Sequence, residues 1–557
     1  MNRDFKIITL GGVEEIGINS TIIENEKDII VIDFGLGFSE ESIYGIDFLI
    51  PNFDYLQKNK DKIRGFIITH GHMDHIGGLP YVLEALNFPP IYGTRITLAI
   101  IKDKISEYSS SVLHKTKFIE FMADDKFNIG SYPVSFFRVN HNIPDSVGVV
   151  IKTVDGNIIH TGDFKFDNTP FEEPVTEYGK LAKLSEEGVL LLLSDSTNAT
   201  KSGMSISESS ITPVLENIIF KAEGRVIAAT FSSLLTRVNQ LVTIAQKYDR
   251  KIAISGSSME TTVKIAQNLG YLKIPKSIFI KMSDVKKYPD NKILIITTGA
   301  QGEENAGLMK MILGDHPYLT INKNDTVILS SSVIPTNGVL VQKLLDYMVE
   351  TGANVIHQSI MDVHAGGHAH QEDHKLLINL LHPKYFMPIE GYQSFLSAHI
   401  KTVKSVGINE NNILLPKDGS VFEYNGSTFI KKERIKHTPI HISDNTLGDF
   451  GNRVLKEREQ LSEYGLILIS IDIDKNFKIN TSPNIISRGF IFSKENYKMV
   501  NLIEKKVSDF FIDKNYNSSD SLQNIRTSLT KYIQNILNNK FHKNPLILIV
   551  INNSYDK

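Results

Sequence analysis

Three imidazoles and a carboxylate fall within a few residues of one another in the stretch Gly65–Leu79, GFIITHGHMDHIGGL: His70, His72, Asp74 and His75. Nitrogen and oxygen donors of these kinds are what a borderline ion such as zinc accepts. Gly71 keeps the backbone thin between two of them. His70 and His72 can converge on one ion, and Asp74 and His75, one turn further along, on a neighbouring one. A two-metal hydrolase requires that arrangement. A lone His-x-His reads as a solvated loop, but four ligand-type residues directly behind the apolar run Phe66, Ile67, Ile68 weigh against that.

The elements that must position these groups are short apolar strands, and ligand types recur at their ends. SFFRV leads into Asn140 and His141, NIIH into Thr161, Gly162 and Asp163, and VLLLLS into Asp195. In IIVIDFG, Asp33 sits at the strand end, either close to the metal loop or as a turn-former before Gly35. Pro80–Asn87 reads as helical, and Thr94–Tyr108 as a longer helix. From about Ser207 the texture changes to RVIAATF, KIAISG, KILIITTG and TVILSSS with helical patterns between them, a doubly wound α/β domain. VHAGGHAHQEDH then brings back His364, His368, His370 and His374, and KYFMPIEGY delivers Glu390 at a further strand end. The chain thus returns to the metal region, which places one domain inside another. The expected order is a first domain over 1–206, interrupted by an insertion over 207–355 and completed by 356–427. A linker over 428–444 follows, with the solvated basic cluster KKERIKH, and then a C-terminal α/β domain over 445–557, opening on a glycine-containing strand region, LGDFGNRV.

With 557 residues the chain is too long for one core. Its 41% hydrophobic and 22% charged residues are those of a soluble globular protein, with no apolar run long enough to span a membrane. No secretory signal is visible in MNRDFKIITLGG, so the cytoplasm is the expected compartment. The absence of cysteine leaves histidine and carboxylate as the ligands for any transition metal. A net charge of −3 argues against a general, histone-like nucleic-acid binder, but a local basic channel remains compatible with it.

The motifs LGGVEEIG, VIDFGLGF, GIDFLIPNFDYL, THGHMDHIGGLPY, NHNIPDSVG, HTGDFKFD, LLSDSTNA, TTGAQGE, SSSVIP, HAGGHAHQED, YFMPIEG and IISRGFIF occur in this order along essentially the whole chain. By them the chain resembles the ribonuclease J family, in the β-CASP group of the metallo-β-lactamase superfamily. The resemblance implies a metallo-β-lactamase αββα sandwich, an inserted doubly wound β-CASP domain and a small C-terminal α/β domain. It implies a ribonuclease that works as a 5′-3′ exonuclease and as an endonuclease in RNA maturation and decay. It implies two Zn2+ ions, with Mn2+ as an alternative, one held by His70, His72 and His141, the other by Asp74 and His75, with Asp163 bridging. His368 matches the catalytic histidine and Asp195 the carboxylate that supports it; a packing role for His368 between domains is the plainer alternative. The implied partners are single-stranded RNA and a second copy of the chain, in a homodimer or homotetramer, or a second ribonuclease J in a hetero-oligomer. Tyr44, Ile46 and Asp449 match a calcium site.

Departures from the family pattern cluster at the substrate pocket. Glu390 stands where the family has a histidine that completes the second metal site, and a carboxylate can take that place. His-x-Ser-Gly-His-Ala becomes His364-Ala365-Gly366-Gly367-His368-Ala369, and in Thr230–Arg237 the family's amide and imidazole become Leu234 and Thr236, leaving Ser233 and His364 for a terminal phosphate. These changes leave a second reading open, that of a catalytically weakened paralogue serving as partner subunit of an RNA-decay complex. A metallohydrolase of small esters or amides would leave the inserted domain without a purpose. His370 and His374 carry no family role and read as surface residues.

Overall fold

A computed structural model of the chain describes residues 4–38, 45–272, 275–334, 337–443, 446–447, 452–474, 477–490, 496–514, 516 and 521–553. Among these, two sheets face each other. The first runs in the order Phe429–Lys431, Val421–Asn425, Asp4–Gly11, Ser20–Glu24, Ile29–Ile32, Ile63–Ile67, Ile91–Gly93, Phe118–Glu120. The second runs Tyr385–Ile389, Val189–Asp195, Gly156–His160, Val147–Thr153, Tyr132–Arg138, Lys126–Ile129.

Side chains alternate across a strand, and here both faces find apolar partners. Ile7, Ile23, Ile30 and Ile67 meet Val134, Phe136, Val149, Ile151, Leu191 and Leu193 between the sheets. Their neighbours Ile8, Ile22, Val31 and Phe66 point the other way, onto Ile96, Ile101 and Ile105 of the helix Arg95–Tyr108. On the far side Phe137, Val150, Ile159 and Leu192 pack against Leu377, Ile378 and Leu381 of the helix Gln371–Leu381. This is an αββα sandwich.

Strands Val189–Asp195 and Tyr385–Ile389 are parallel neighbours, yet a third sheet lies between them in sequence. It consists of parallel strands in the order Phe279–Ile280, Lys251–Ser255, Ile293–Thr297, Val226–Ala229, Thr326–Leu329, Asn354–His357. The insertion is therefore an α/β layer of its own, and its last strand passes the expected boundary at 355 by two residues.

By contact density, the described residues of 1–38 and 48–446 form one compact unit and those of 39–47 with 447–557 another. In the second, the strand Leu466–Ile473 buries every other residue, Ile467, Ile469, Ile471 and Ile473, and Ile525, Leu529, Ile533 and Leu537 of the helix Leu522–Phe541 repeat at four-residue spacing to cover that face.

Four local expectations need correction. Of LGDFGNRV, the residues from Asn452 begin the helix Asn452–Tyr464, because the apolar positions Val454, Leu455 and Leu461 do not alternate as a strand requires. The expected linker carries strand at both ends: Phe429–Lys431 closes a hairpin on Val421–Asn425, and Ile440–Ser443 pairs with Phe48–Ile50. The helix expected over Pro80–Asn87 is one turn, Leu79–Val82, and the chain then turns with Asn87 and Phe88 at positive φ. His374 is buried rather than exposed. Of the matched calcium residues, Ile46 is buried, while Tyr44 and Asp449 lie outside the described residues.

The inserted layer is tied to the sandwich through buried charge. Arg237 is fully buried; its guanidinium donates to Ser330 Oγ at 2.8 Å, to the Val363 carbonyl and to Glu208 Oε2 at 2.8 Å. Removing one partner of such a pair strands the other in a poor solvent, at a cost of about 3–5 kcal/mol. Arg237→Met is accordingly expected to lower the denaturant midpoint markedly, and Arg237→Met with Glu208→Leu to recover much of the loss; a single variant as stable as the parent would contradict this account.

Candidate metal centre

In the second sheet, strands Tyr132–Arg138, Gly156–His160, Val189–Asp195 and Tyr385–Ile389 run in one direction. Their carboxyl ends release His141, Asp163, Asp195 and Glu390 at one edge. In the first sheet the parallel strands Ile29–Ile32 and Ile63–Ile67 release Asp33 and the His70 loop. Gly35 is required here: a Cβ on it would sit 1.6 Å from the Asp74 carbonyl oxygen.

The rings are oriented through their second nitrogens. Thr69 Oγ1 donates to Asp33 Oδ2 at 2.8 Å and so accepts from His70 Nδ1 at 3.0 Å. His141 Nδ1 donates to the Gly367 carbonyl at 2.8 Å, and His75 Nδ1 to Asp33 Oδ2 at 2.8 Å. The Nε2 atoms of His70 and His141 are left as lone pairs. Both lie 3.0 Å from His72 Nδ1 and 3.5 Å from Asp163 Oδ2.

Burial holds the pKa values of all three rings down, that of His72 to about 3, so they are uncharged at neutral pH. Lone pairs aimed at one point repel unless a cation lies between them. An ion about 2.0–2.1 Å from each nitrogen sets neighbouring nitrogens about 3.0–3.4 Å apart, so the observed separations fit a zinc-sized ion.

A second group shares Asp163. His75 Nε2 lies 3.3 Å from Asp163 Oδ1 and 3.6 Å from Asp74 Oδ2. Burial opposes charge on His75, but the carboxylates of Asp163, Asp74 and Asp33 outweigh it and raise its pKa well above the usual value. That is a site demanding positive charge, and Asp163 Oδ1 has no hydrogen-bond partner.

In a third group His368 Nδ1 lies 2.9 Å from Asp195 Oδ2 and 3.8 Å from Asp163 Oδ2. Burial would lower its pKa; Asp195 and Asp163 overcome that and raise it to about 9. Among the described residues these are the three groups whose ligand-type atoms lie within 4.8 Å of one another. Glu390 is in none of them. It is buried with its carboxyl against that of Asp163, and burial first, then Asp163, raises its pKa well above the usual range.

The residues matched to a phosphate pocket are scattered in character. His364 is buried, with Nε2 3.0 Å from Ser332 Oγ and Nδ1 without a partner. Ser233 is half-buried, whereas Leu234 is buried. Thr236 donates to Glu173 Oε1 at 3.0 Å. Gly366 is half-buried, and a Cβ on it would meet only Asn198 Nδ2, at 3.4 Å.

Sequence reasoning missed Thr69 and the Gly367 carbonyl, and left Asp33 undecided. Asp33 is neither a ligand nor a mere turn-former: it orients His75 and, through Thr69, His70. Its signal was its place at the end of the strand next to that of the His70 loop. His374 stacks on His399, ring centroids 3.9 Å apart, and shares a helix face with Leu377, Ile378 and Leu381.

The same chain order appears in known proteins. Residues 13–204 match the metallo-β-lactamase superfamily, 223–348 the ribonuclease J β-CASP domain and 453–554 the ribonuclease J C-terminal domain. Ribonuclease J of Helicobacter pylori (strain ATCC 700392 / 26695) is 38% identical over 98% of this chain and 79% of its own length. Ribonuclease J2 of Bacillus subtilis (strain 168) is 37% identical over 99% and 98%. The chain belongs to the ribonuclease J family. A crystal structure of a protein of unknown function from Enterococcus faecalis V583 shares the fold, with a TM-score of 0.52 at 15% identity over 75% of this chain and 99% of that one. Family membership thus agrees with the αββα sandwich, the inserted layer and the C-terminal module, and with a fold that uses divalent metal.

The Gly367 carbonyl fixes His141, and a Cβ on Gly367 would lie 2.5 Å from the His141 ring. Gly367→Ala is expected to displace that ring and weaken metal uptake about 10–100-fold, the usual scale for a lost orienting partner; undiminished affinity by calorimetry would show the ring to be held by other means.

Proposed function

We propose that the chain is a metal-dependent ribonuclease hydrolysing phosphodiesters of RNA, with both 5′-3′ exonucleolytic and internal cleavage. The observation that carries this reading is the convergence of His70, His72, His141 and Asp163 on one point, inside a family whose named relatives are ribonucleases. His70, His72, His141 and Asp163 would hold one divalent ion, Zn2+ by the nitrogen-rich donor set. Asp74, His75 and Asp163 would hold a second. Such ions supply a Lewis acid and an acidified water at neutral pH.

The remaining work falls to the protein's own groups. Asp163, which offers Oδ2 to the first group and Oδ1 to the second, would fix the two positions relative to each other. His368, held protonated by Asp195, donates a proton to the departing 3′-oxygen, leaving a 5′-phosphate on the product. Ser233 and His364 face the terminal phosphate of a single strand lying between the sandwich and the inserted layer, where bases can stack. The test is the purified chain with 5′-monophosphorylated RNA, with and without a chelator, beside His72→Ala/Asp74→Ala. Chelator-sensitive cleavage that the double variant lacks is expected; chelator-resistant cleavage rejects the reading.

Glu390 and the Leu234, Thr236, Gly366 pocket favour one other reading, a weakened paralogue acting as a partner subunit. Metal bound without measurable cleavage would support it.

If His368 is the general acid, the alkaline limb of the pH–rate profile reports its loss of a proton. Removing the neighbouring carboxylate lowers the His368 pKa, so Asp195→Asn should move that limb to lower pH. An unshifted limb would take His368 out of that role.

A further inference from the structure

Beside the second metal position stands a side chain to which no motif pointed. Asn19 Nδ2 lies 3.0 Å from His75 Nε2 and 3.4 Å from Asp74 Oδ2, two of the atoms that define the position. The other end of the amide, Oδ1, is buried and has no partner. Asn19, Ser20 and Glu390 all line one small cavity of about 10 Å3, and each carries a buried polar atom that nothing satisfies: Asn19 Oδ1, Ser20 Oγ and Glu390 Oε2. Asn19 Oδ1, Ser20 Oγ and Glu390 Oε2 thus share one void without a hydrogen bond among them.

A carboxamide presents oxygen and nitrogen in nearly the same shape, and half a turn about its last torsion exchanges them. With its NH2 toward the metal position, the amide has an acceptor there in Asp74 Oδ2. Facing a cation, the same NH2 is repelled, while the orphaned oxygen sits on the wrong side.

We propose that Asn19 is a ligand of the second cation through Oδ1, and that Glu390 is not a ligand. In the loaded centre Oδ1 joins Asp74 Oδ2, His75 Nε2 and Asp163 Oδ1. The NH2 turns into the cavity, where Ser20 Oγ and Glu390 Oε2 can accept from it. Glu390 is then a positioning residue that holds the amide in its ligating orientation, which accounts for its carboxyl lying outside the converging groups. The resulting set of three oxygens and one nitrogen is harder than the three-imidazole set beside it, so the second position favours Mn2+ where the first favours Zn2+. The assignment rests on the metal-dependent reading above.

The test uses the full chain stripped of metal and titrated with Zn2+ and then Mn2+, followed by calorimetry and by the Mn2+ electron paramagnetic resonance signal. The parent is expected to bind Zn2+ first and Mn2+ second. Asn19→Ala should weaken the second ion about tenfold or more while leaving the first in place, and the retained first ion reports that the centre is still folded. Asn19→Asp, which keeps the oxygen, should retain the second ion, and Glu390→Gln should retain it too. Unchanged Mn2+ affinity in Asn19→Ala, or its loss in Glu390→Gln, overturns the assignment while leaving the metal-dependent reading intact. A parent chain that takes up no ion overturns both.

Discussion

Everything at this centre depends on lone pairs that have been aimed at one another out of reach of water. The nitrogens of His70, His72 and His141 cannot relieve their mutual repulsion by hydrogen bonding to solvent, because His70 and His141 are buried and the proton on each of these two rings is committed elsewhere. Each commitment is a single hydrogen bond worth about 1 kcal/mol on its own. Its larger effect is to choose the tautomer and so decide which nitrogen faces the centre. Asp33 makes two of these choices at once, directly for His75 and through Thr69 for His70. Two rings are thereby set by one carboxylate that stands outside the converging groups.

The backbone accepts some strain to achieve this. Asp33 and Glu390 both follow apolar strands and both have left-handed φ, 59° and 58°. For a residue with a side chain that conformation costs roughly 1 kcal/mol or more. At Asp33 the cost is offset by its side-chain bonds to the Thr69 N–H and hydroxyl and to His75. At Glu390 the carbonyl accepts from Ser196, the residue after Asp195, and the next amide, Gly391, donates to Gly12. A sharp turn immediately after a strand is what brings a side chain over the sheet edge instead of continuing along the strand.

What could be read from the sequence follows from how local each signal is. The histidine loop is contiguous, and runs such as VLLLLS announce strands covered on both faces, so the ligand-bearing strand ends were legible. The inserted layer was legible because four apolar runs alternate with helical patterns between two halves of another pattern. Asp33 stayed undecided, because its role depends on which strands lie side by side, a matter of sheet order rather than of spacing. His374 is different. It lies three, four and seven residues before Leu377, Ile378 and Leu381, on the buried stripe of its helix, and that periodicity outweighed its polarity. The strand Ile440–Ser443 escaped notice because a short, half-polar run gains its identity only from the partner, Phe48–Ile50, to which it pairs.

The inserted layer is more than an appendage to the sandwich, and the buried charges say why. Lys165 stands two residues after Asp163, is fully buried, donates to the Ile206 carbonyl at 2.9 Å and lies 3.9 Å from Glu208. Glu208 in turn holds Arg237, which donates to the carbonyl of Val363, the residue before His364. A continuous run of buried polar contacts thus leads from the loop bearing Asp163, through the first helix of the insertion, to the segment that carries His364, Gly367 and His368. Shifting any member relative to the next would expose an unpaired charge to a medium that solvates it poorly, a penalty of about 3–5 kcal/mol. The charges therefore set the spacing between the centre and the segment that faces it more sharply than hydrophobic packing alone can, although the two come from opposite ends of a long insertion.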